Sequence, residues 1–133
     1  MQIGNAMEYV ACVVALALLQ YTLFGFWVGM ARGKFGVNAP AVTGHPEFER
    51  RYRVQQNTLE QLVVLVPGIF LFAAYVHDLT AAGLGLVYIL GRFIYSKSYV
   101  SDPKTRGLGF MLSFLPAQIL VLGGLVGAVI KLL

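Results

Sequence analysis

Four side chains in one short stretch are of the right types to do chemistry. Arg50, Arg53, Asn57 and Glu60 are spaced three, four and three residues apart. On a helix turning ~100° per residue they share one sector about 80° wide. The chain then turns apolar at once, through Leu62, Val63, Val64, Leu65 and Val66. A polar stripe therefore enters the end of what reads as a membrane-spanning helix. Ionisable groups are costly there, and they point to a functional site facing the bundle interior. Two further groups read the same way. Arg92, Tyr95 and Tyr99 share a helix face by their three-then-four spacing. Lys104 and Arg106 stand at the start of a fourth helix, where cations oppose the helix dipole unless an anion is supplied. Arg106 beside a helix N-terminus makes a positive spot suited to a thiolate or a carboxylate.

These groups need a bundle to hold them, and the composition supplies one. The chain has 133 residues, 58% of them hydrophobic and only 12% charged. That excludes an ordinary soluble domain and indicates a multi-pass membrane protein of a single domain, 1–133. The formal charge is +4, gathered in two clusters. Arg32, Lys34, Arg50, Arg51 and Arg53 form one; Arg92, Lys97, Lys104 and Arg106 form the other. That is a topology signal, not a nucleic-acid surface. Cys12 is the one cysteine, so no intrachain disulfide framework exists. It lies in an apolar run and reads as a buried, inert thiol.

Four helices are expected, at about 5–32, 46–76, 78–100 and 103–132. Val10–Met30 carries no charge and is long enough to span the ~30 Å hydrocarbon layer. It reads as a retained helix, not a cleaved signal, with Trp27 as an interfacial anchor. The glycines and prolines of 33–46 break it, and Pro46 suits the first position of the second helix. Pro67 and Pro116 are expected to kink the second and fourth helices, as membrane bundles tolerate. Asp78 and Asp102 read as N-caps. The uncharged run Leu79–Gly91 is too short to span alone, so the third span must include Arg92, which faces protein or a polar cavity. Gly83, Gly85 and Gly91 allow close contacts, as do Gly123, Gly124 and Gly127. Four spans put both termini on one side. The basic loops 33–45 and 101–102 lie on the other, cytoplasmic by the positive-inside rule.

Plainer readings stand beside these. Arg51 and Lys97 read as topology signals and lipid-headgroup contacts, a reading also open for Arg50 and Lys104. Glu60 can be simply an arginine's partner, and Tyr95 and Tyr99 interfacial belt residues.

Taken together, the stretch Phe48–Arg53 with Gln55, Asn57 and Glu60 resembles the signature of the MAPEG family, membrane-associated proteins of eicosanoid and glutathione metabolism. Gly85-Leu86-Val87-Tyr88 with Arg92, Tyr95 and Tyr99 is similar to the family's third helix. Arg106 is similar to the arginine that opens its fourth, and Ala31-Arg32 and Thr43–Phe48 also look like family sequence. The resemblance implies an all-α, homotrimeric four-helix membrane protein that binds glutathione, its co-substrate, between subunits, with no metal. Arg32, Arg50 and Arg53 would serve its carboxylates, and Glu60 its ammonium. Gln55, Asn57, Arg92, Tyr95 and Tyr99 would add further contacts. Arg106, with Tyr99, would stabilise the thiolate that attacks a hydrophobic electrophile or lipid hydroperoxide. Transferase and glutathione-peroxidase activities follow from that chemistry. Gln61 and Gly33 depart from the leukotriene-synthase branch, which has tyrosine and arginine there. Two other classes remain: a non-catalytic lipid-binding protein of the same fold, and a small anion transporter.

Overall fold

The computed structural model describes residues 7–133. It consists of α1 (Met7–Phe35), α2 (Pro46–Tyr75), α3 (Asp78–Ser101), a short 3-10 turn (Pro103–Thr105) and α4 (Gly107–Leu132). The expected start of the first helix near Asn5 lies outside the described residues. All four helices are long and apolar enough to cross a membrane. At 1.5 Å per residue even α3, with 24 residues, reaches ~36 Å. Four such spans are the architecture of an integral, multi-pass membrane protein.

α2 and α3 pack between α1 and α4. The core is a column of Val10, Ala17, Leu65, Ile69, Tyr88, Ala117 and Leu120, all buried. Leucine, isoleucine, valine and phenylalanine also cover the outside: Leu19, Phe26, Val63, Leu90, Leu125 and Ile130 are all exposed. Helices apolar all round are what a lipid solvent selects.

Small residues decide how closely the helices approach. A Cβ on Gly85 would lie 2.9 Å from Ile69 Cδ1 of α2, and one on Gly91 would lie 2.7 Å from the Leu112 and Ser113 backbone of α4. Gly123, Gly124 and Gly127 receive α2 at Phe72, Leu71 and Tyr75. Gly83 is different: among the described residues nothing lies within 4 Å of its Cβ position.

Three helix ends and one cysteine correct expectations. α1 runs past Arg32 to Phe35, because a helix tolerates Gly33 and the true stop is Gly36 at φ 68°. There the Val37 N–H reaches back to the Arg32 carbonyl at 3.1 Å, the Schellman closure that a left-handed glycine allows. α3 is capped by His77, not Asp78; His77 is extended and its Nδ1 accepts the Thr80 N–H at 3.1 Å. Asp102 does cap, but it caps the 3-10 turn, accepting the Lys104 N–H at 3.1 Å, and α4 begins only at Gly107. Cys12 is exposed on the outer side of α1 and is not a core thiol. Pro46 opens α2 as expected, behind His45 as its cap. α2 and α4 continue through Pro67 and Pro116.

Candidate functional site

A guanidinium in the middle of an apolar span must find acceptors within the protein, since the hydrocarbon offers none. Arg92 is fully buried and finds three, on two other helices. Its Nη2 donates to Asn57 Oδ1 at 2.9 Å and to Thr58 Oγ1 at 2.8 Å, both on α2. Its Nη1 donates to Ser113 Oγ on α4 at 3.1 Å. Its guanidinium carbon lies 4.2 Å from the centre of the Tyr95 ring. The two hydroxyls pass their own protons to the backbone: Thr58 to the Val54 carbonyl at 2.7 Å, Ser113 to the Gly109 and Phe110 carbonyls at 3.0 Å each. Every direct partner is neutral. The cluster thus locks α2, α3 and α4 together and leaves a positive charge behind the face of α2 that carries the stripe.

The stripe is graded by depth. Asn57 points inward to Arg92 and is buried. Arg53 and Glu60, two helical turns apart, face outward and meet at 3.4 Å, each more than half exposed. Arg50 reaches across to the end of α3, donating to the Val100 carbonyl at 3.2 Å and the Ser101 carbonyl at 3.4 Å. It joins the start of α2 to the end of α3, so the two basic clusters gather at one end of the bundle. A cavity of about 460 Å³ opens there, lined by Arg50, Arg53, Tyr52, Glu49 and Tyr99 among others.

Tyr99 belongs to an aromatic ladder. It stacks on Tyr95 with ring centres 5.5 Å apart, and Tyr95 in turn packs on Phe110 of α4 at 6.5 Å. Tyr95 is buried and Tyr99 half-buried. Arg106 closes the 3-10 turn and precedes α4; its side chain is exposed and caps nothing. It forms no ion pair among the described residues, whose single pair is Arg53–Glu60. The first N–H groups of an α-helix lack intrahelical acceptors, so the field here is positive from both side chain and backbone.

Two of the expected site residues do not join this group within the chain. Arg32 is engaged with the 36–45 loop, donating to the Ala41 carbonyl at 2.7 Å and covering the Phe48 ring at 4.7 Å. Gln55 faces α1, in a cavity of about 750 Å³ with Tyr21, Thr22, Gly25, Phe26, Gly29 and Met30. Thr58 and Ser113 were not anticipated. The signal for Ser113 was present: with Gln118 it is one of only two polar side chains in Gly107–Ile130, where a buried arginine needs acceptors. Among the described residues no group of three or more His, Cys, Asp and Glu side chains converges as a metal site.

Comparison with known proteins bears on what this end of the bundle does. The MAPEG family profile matches residues 9–126. Human microsomal glutathione S-transferase 2 is 40% identical over 124 residues, which cover 93% of this chain and 84% of that protein. Bovine leukotriene C4 synthase is 32% identical, covering 82% of this chain and 85% of its own length. An uncharacterised protein of Synechocystis sp. is 47% identical over 115 residues, covering 86% and 84% respectively.

Proposed function

Since this chain belongs to the MAPEG family, we propose that it is a membrane-embedded glutathione transferase that works as a homotrimer. The observation that carries this reading is the exposed Arg53–Glu60 pair, whose Arg53 shares a cavity with Tyr99, together with Arg106 at the same end of the bundle, which has no ion-pair partner among the described residues. Glutathione bears two carboxylates, an ammonium and a thiol. A guanidinium and a carboxylate already side by side complement the zwitterionic amino-acid end of such a ligand, Arg53 taking its carboxylate and Glu60 its ammonium. Their mutual contact is long and exposed, so little is lost when each turns to the ligand. Arg50 supports the carboxylates, while Asn57 and Tyr95 form the wall in front of Arg92.

Arg106 receives the sulfur. A free thiol with pKa ~8.5 is only about 3% ionised at pH 7, so a guanidinium that favours the thiolate raises the reactive fraction by more than tenfold. Tyr99 donates its phenolic O–H to the same sulfur. The thiol proton leaves to solvent at the open end of the bundle. The thiolate then forms a carbon–sulfur bond with an electrophilic carbon of a hydrophobic acceptor arriving from the bilayer, and the leaving group departs with its electron pair. With a lipid hydroperoxide the same thiolate attacks the O–O bond, and a second glutathione reduces the resulting sulfenic species, giving alcohol, disulfide and water.

Trimer formation would unite the two separated faces. The Gln55 cavity between α1 and α2 lies on a different flank from the Arg53–Tyr99 cavity. A neighbouring subunit that sets its Gln55 and Arg32 flank against the Arg53 flank completes one site from two chains. The end that carries the basic loops 33–45 and 101–102 is cytoplasmic, so water-soluble glutathione reaches the site there, and the termini lie on the opposite side.

Conjugation of glutathione to a hydrophobic haloarene by the purified protein in liposomes tests the function. Turnover that saturates with glutathione is expected; binding of the haloarene without turnover would assign the fold to lipid binding instead. Arg53→Ala should raise KM for glutathione roughly tenfold with kcat within about twofold, because it removes a charge-assisted contact made equally in ground and transition states. Steady-state kinetics at fixed acceptor reads both.

A further inference from the structure

A second cavity at this end of the bundle is larger than the one just assigned. It measures about 910 Å³ and opens on the other side of the Arg50 bridge, between α1, the start of α2 and the end of α3. It shares no lining residue with the Arg53–Tyr99 cavity. Three cations line it, one from each helix: Lys34, Arg51 and Lys97. Glu47 is the one acidic residue on its wall. None of the three cations forms an ion pair among the described residues. Lys34 lies 5.2 Å from the Phe35 ring.

The walls change character with depth. Lys34 sits in the last turn of α1, whereas Trp27 lies seven residues, or ~10 Å, further along the helix towards the membrane centre. Met30 lies between them. On α3, Lys97 stands one turn nearer the end than Phe93. A ring of positive charge thus surmounts a slot of Trp27, Met30 and Phe93. Phe93 of α3 is 41% exposed, so the slot opens outward along α3. This is the polarity profile of one phospholipid standing in its leaflet: phosphate at the interface, acyl chain below.

We propose that this cavity is a binding site for a single anionic phospholipid. Lys34, Arg51 and Lys97 hold the phosphate, and Trp27, Met30 and Phe93 receive the upper acyl chain. Charge fixes the lipid class. Three cations against one carboxylate leave two positive charges unbalanced; a zwitterionic headgroup offsets neither, whereas an anionic one such as phosphatidylglycerol lowers the excess to one. The inference rests on the membrane fold and not on the glutathione reading, so each stands or falls separately.

The chain provides its own reporter, because Trp27 is its only tryptophan. The protein is reconstituted in nanodiscs of phosphatidylcholine containing a small fraction of lipid brominated near the glycerol end of the chains. Brominated phosphatidylglycerol should quench Trp27 fluorescence at mole fractions on the order of tenfold lower than brominated phosphatidylcholine, and should saturate. Lys34→Gln/Arg51→Gln/Lys97→Gln should abolish the preference, leaving the quenching common to any lipid neighbour. Lys34→Arg/Arg51→Lys/Lys97→Arg should retain it, so that a folding defect in the first variant still leaves a test of charge. Equal quenching by the two lipids in the wild type would overturn the proposal, as would a preference that survives in the glutamine variant or is lost in the charge-conserving one. Loss of the preference on adding inorganic phosphate at constant ionic strength would also overturn it, assigning the cations to a soluble anion.

Discussion

Arg106→Ala is expected to lower turnover at pH 7 by roughly 30-fold, while KM for glutathione changes by less than about threefold. The size follows from ionisation. Without the guanidinium the bound thiol returns towards pKa ~8.5, and about 3% is thiolate at pH 7. The sign of the pH dependence follows too. Arg106 stabilises the deprotonated form, so its contribution is greatest below the free thiol's pKa and vanishes above it. The variant's deficit should therefore shrink as pH rises and be under about threefold at pH 9.5. Arg106→Lys keeps a charge but loses the planar fork, and should fall between the two. Rate profiles from pH 6 to 9.5 for the three proteins make the check. A deficit that is the same at every pH would mean that Arg106 acts on something other than thiol ionisation. Arg106 suits this test because its side chain is exposed and caps nothing, so removing it disturbs little else.

Gly109→Ala should be the most damaging single methyl group that can be added near the site. Gly109 is buried where α4 meets α3, and a Cβ there would press on the Tyr95 backbone, 2.5 Å from its Cα and 2.9 Å from the Ile94 carbonyl carbon. Carbon atoms prefer separations of about 3.5–4 Å, and a helix backbone cannot swing aside as a side-chain tip can. The helices must separate by about 1 Å. That movement stretches the Arg92–Ser113 bond of 3.1 Å and shifts Arg106, three residues upstream, relative to Tyr99. A cost of about 3 kcal/mol and a Tm lower by roughly 10 °C are expected, with activity falling further than stability alone explains. Gly83→Ala provides the control. Among the described residues nothing lies within 4 Å of its Cβ position, so replacement should be neutral or stabilising by up to about 1 kcal/mol in the single chain. Thermal unfolding in detergent, followed by helix signal, measures both. Equal Tm values for the two variants would contradict the packing described here.

These two residues also mark what could be read from the sequence. Arg106 was visible as a cation placed against a helix dipole, a local feature requiring no knowledge of neighbours. Gly109 was not singled out, because a glycine's role depends on which helix passes over it, and periodicity does not rank partners. The same division holds across the site. The stripe spacing placed Arg50, Arg53, Asn57 and Glu60 on one side of α2, but not that Asn57 turns inward while Arg53 and Glu60 pair outside. The short uncharged run before Arg92 indicated that its guanidinium must be enclosed; Thr58 and Ser113 as its acceptors depend on the packing of three helices. Gly83, Gly85 and Gly91 looked alike in sequence, and among the described residues only the last two meet a neighbour. Helix ends shifted where a side chain competed locally: His77 takes the cap from Asp78, and the 3-10 turn takes Pro103 from α4. Cys12 lies outward because membrane helices are apolar on both the lipid and the core side, so hydrophobic context does not separate buried from exposed.

The central claim is that the charged end of this bundle binds glutathione and ionises its thiol. Ultraviolet difference absorbance of the thiolate, recorded while glutathione is titrated into the detergent-solubilised protein at neutral pH, tests it most directly. A saturable thiolate signal, lost in Arg106→Ala but still obtained at higher glutathione in Arg53→Ala after that variant's weaker binding is overcome, is the expected result. Saturable binding by calorimetry with no thiolate signal, or no binding at all, would contradict it.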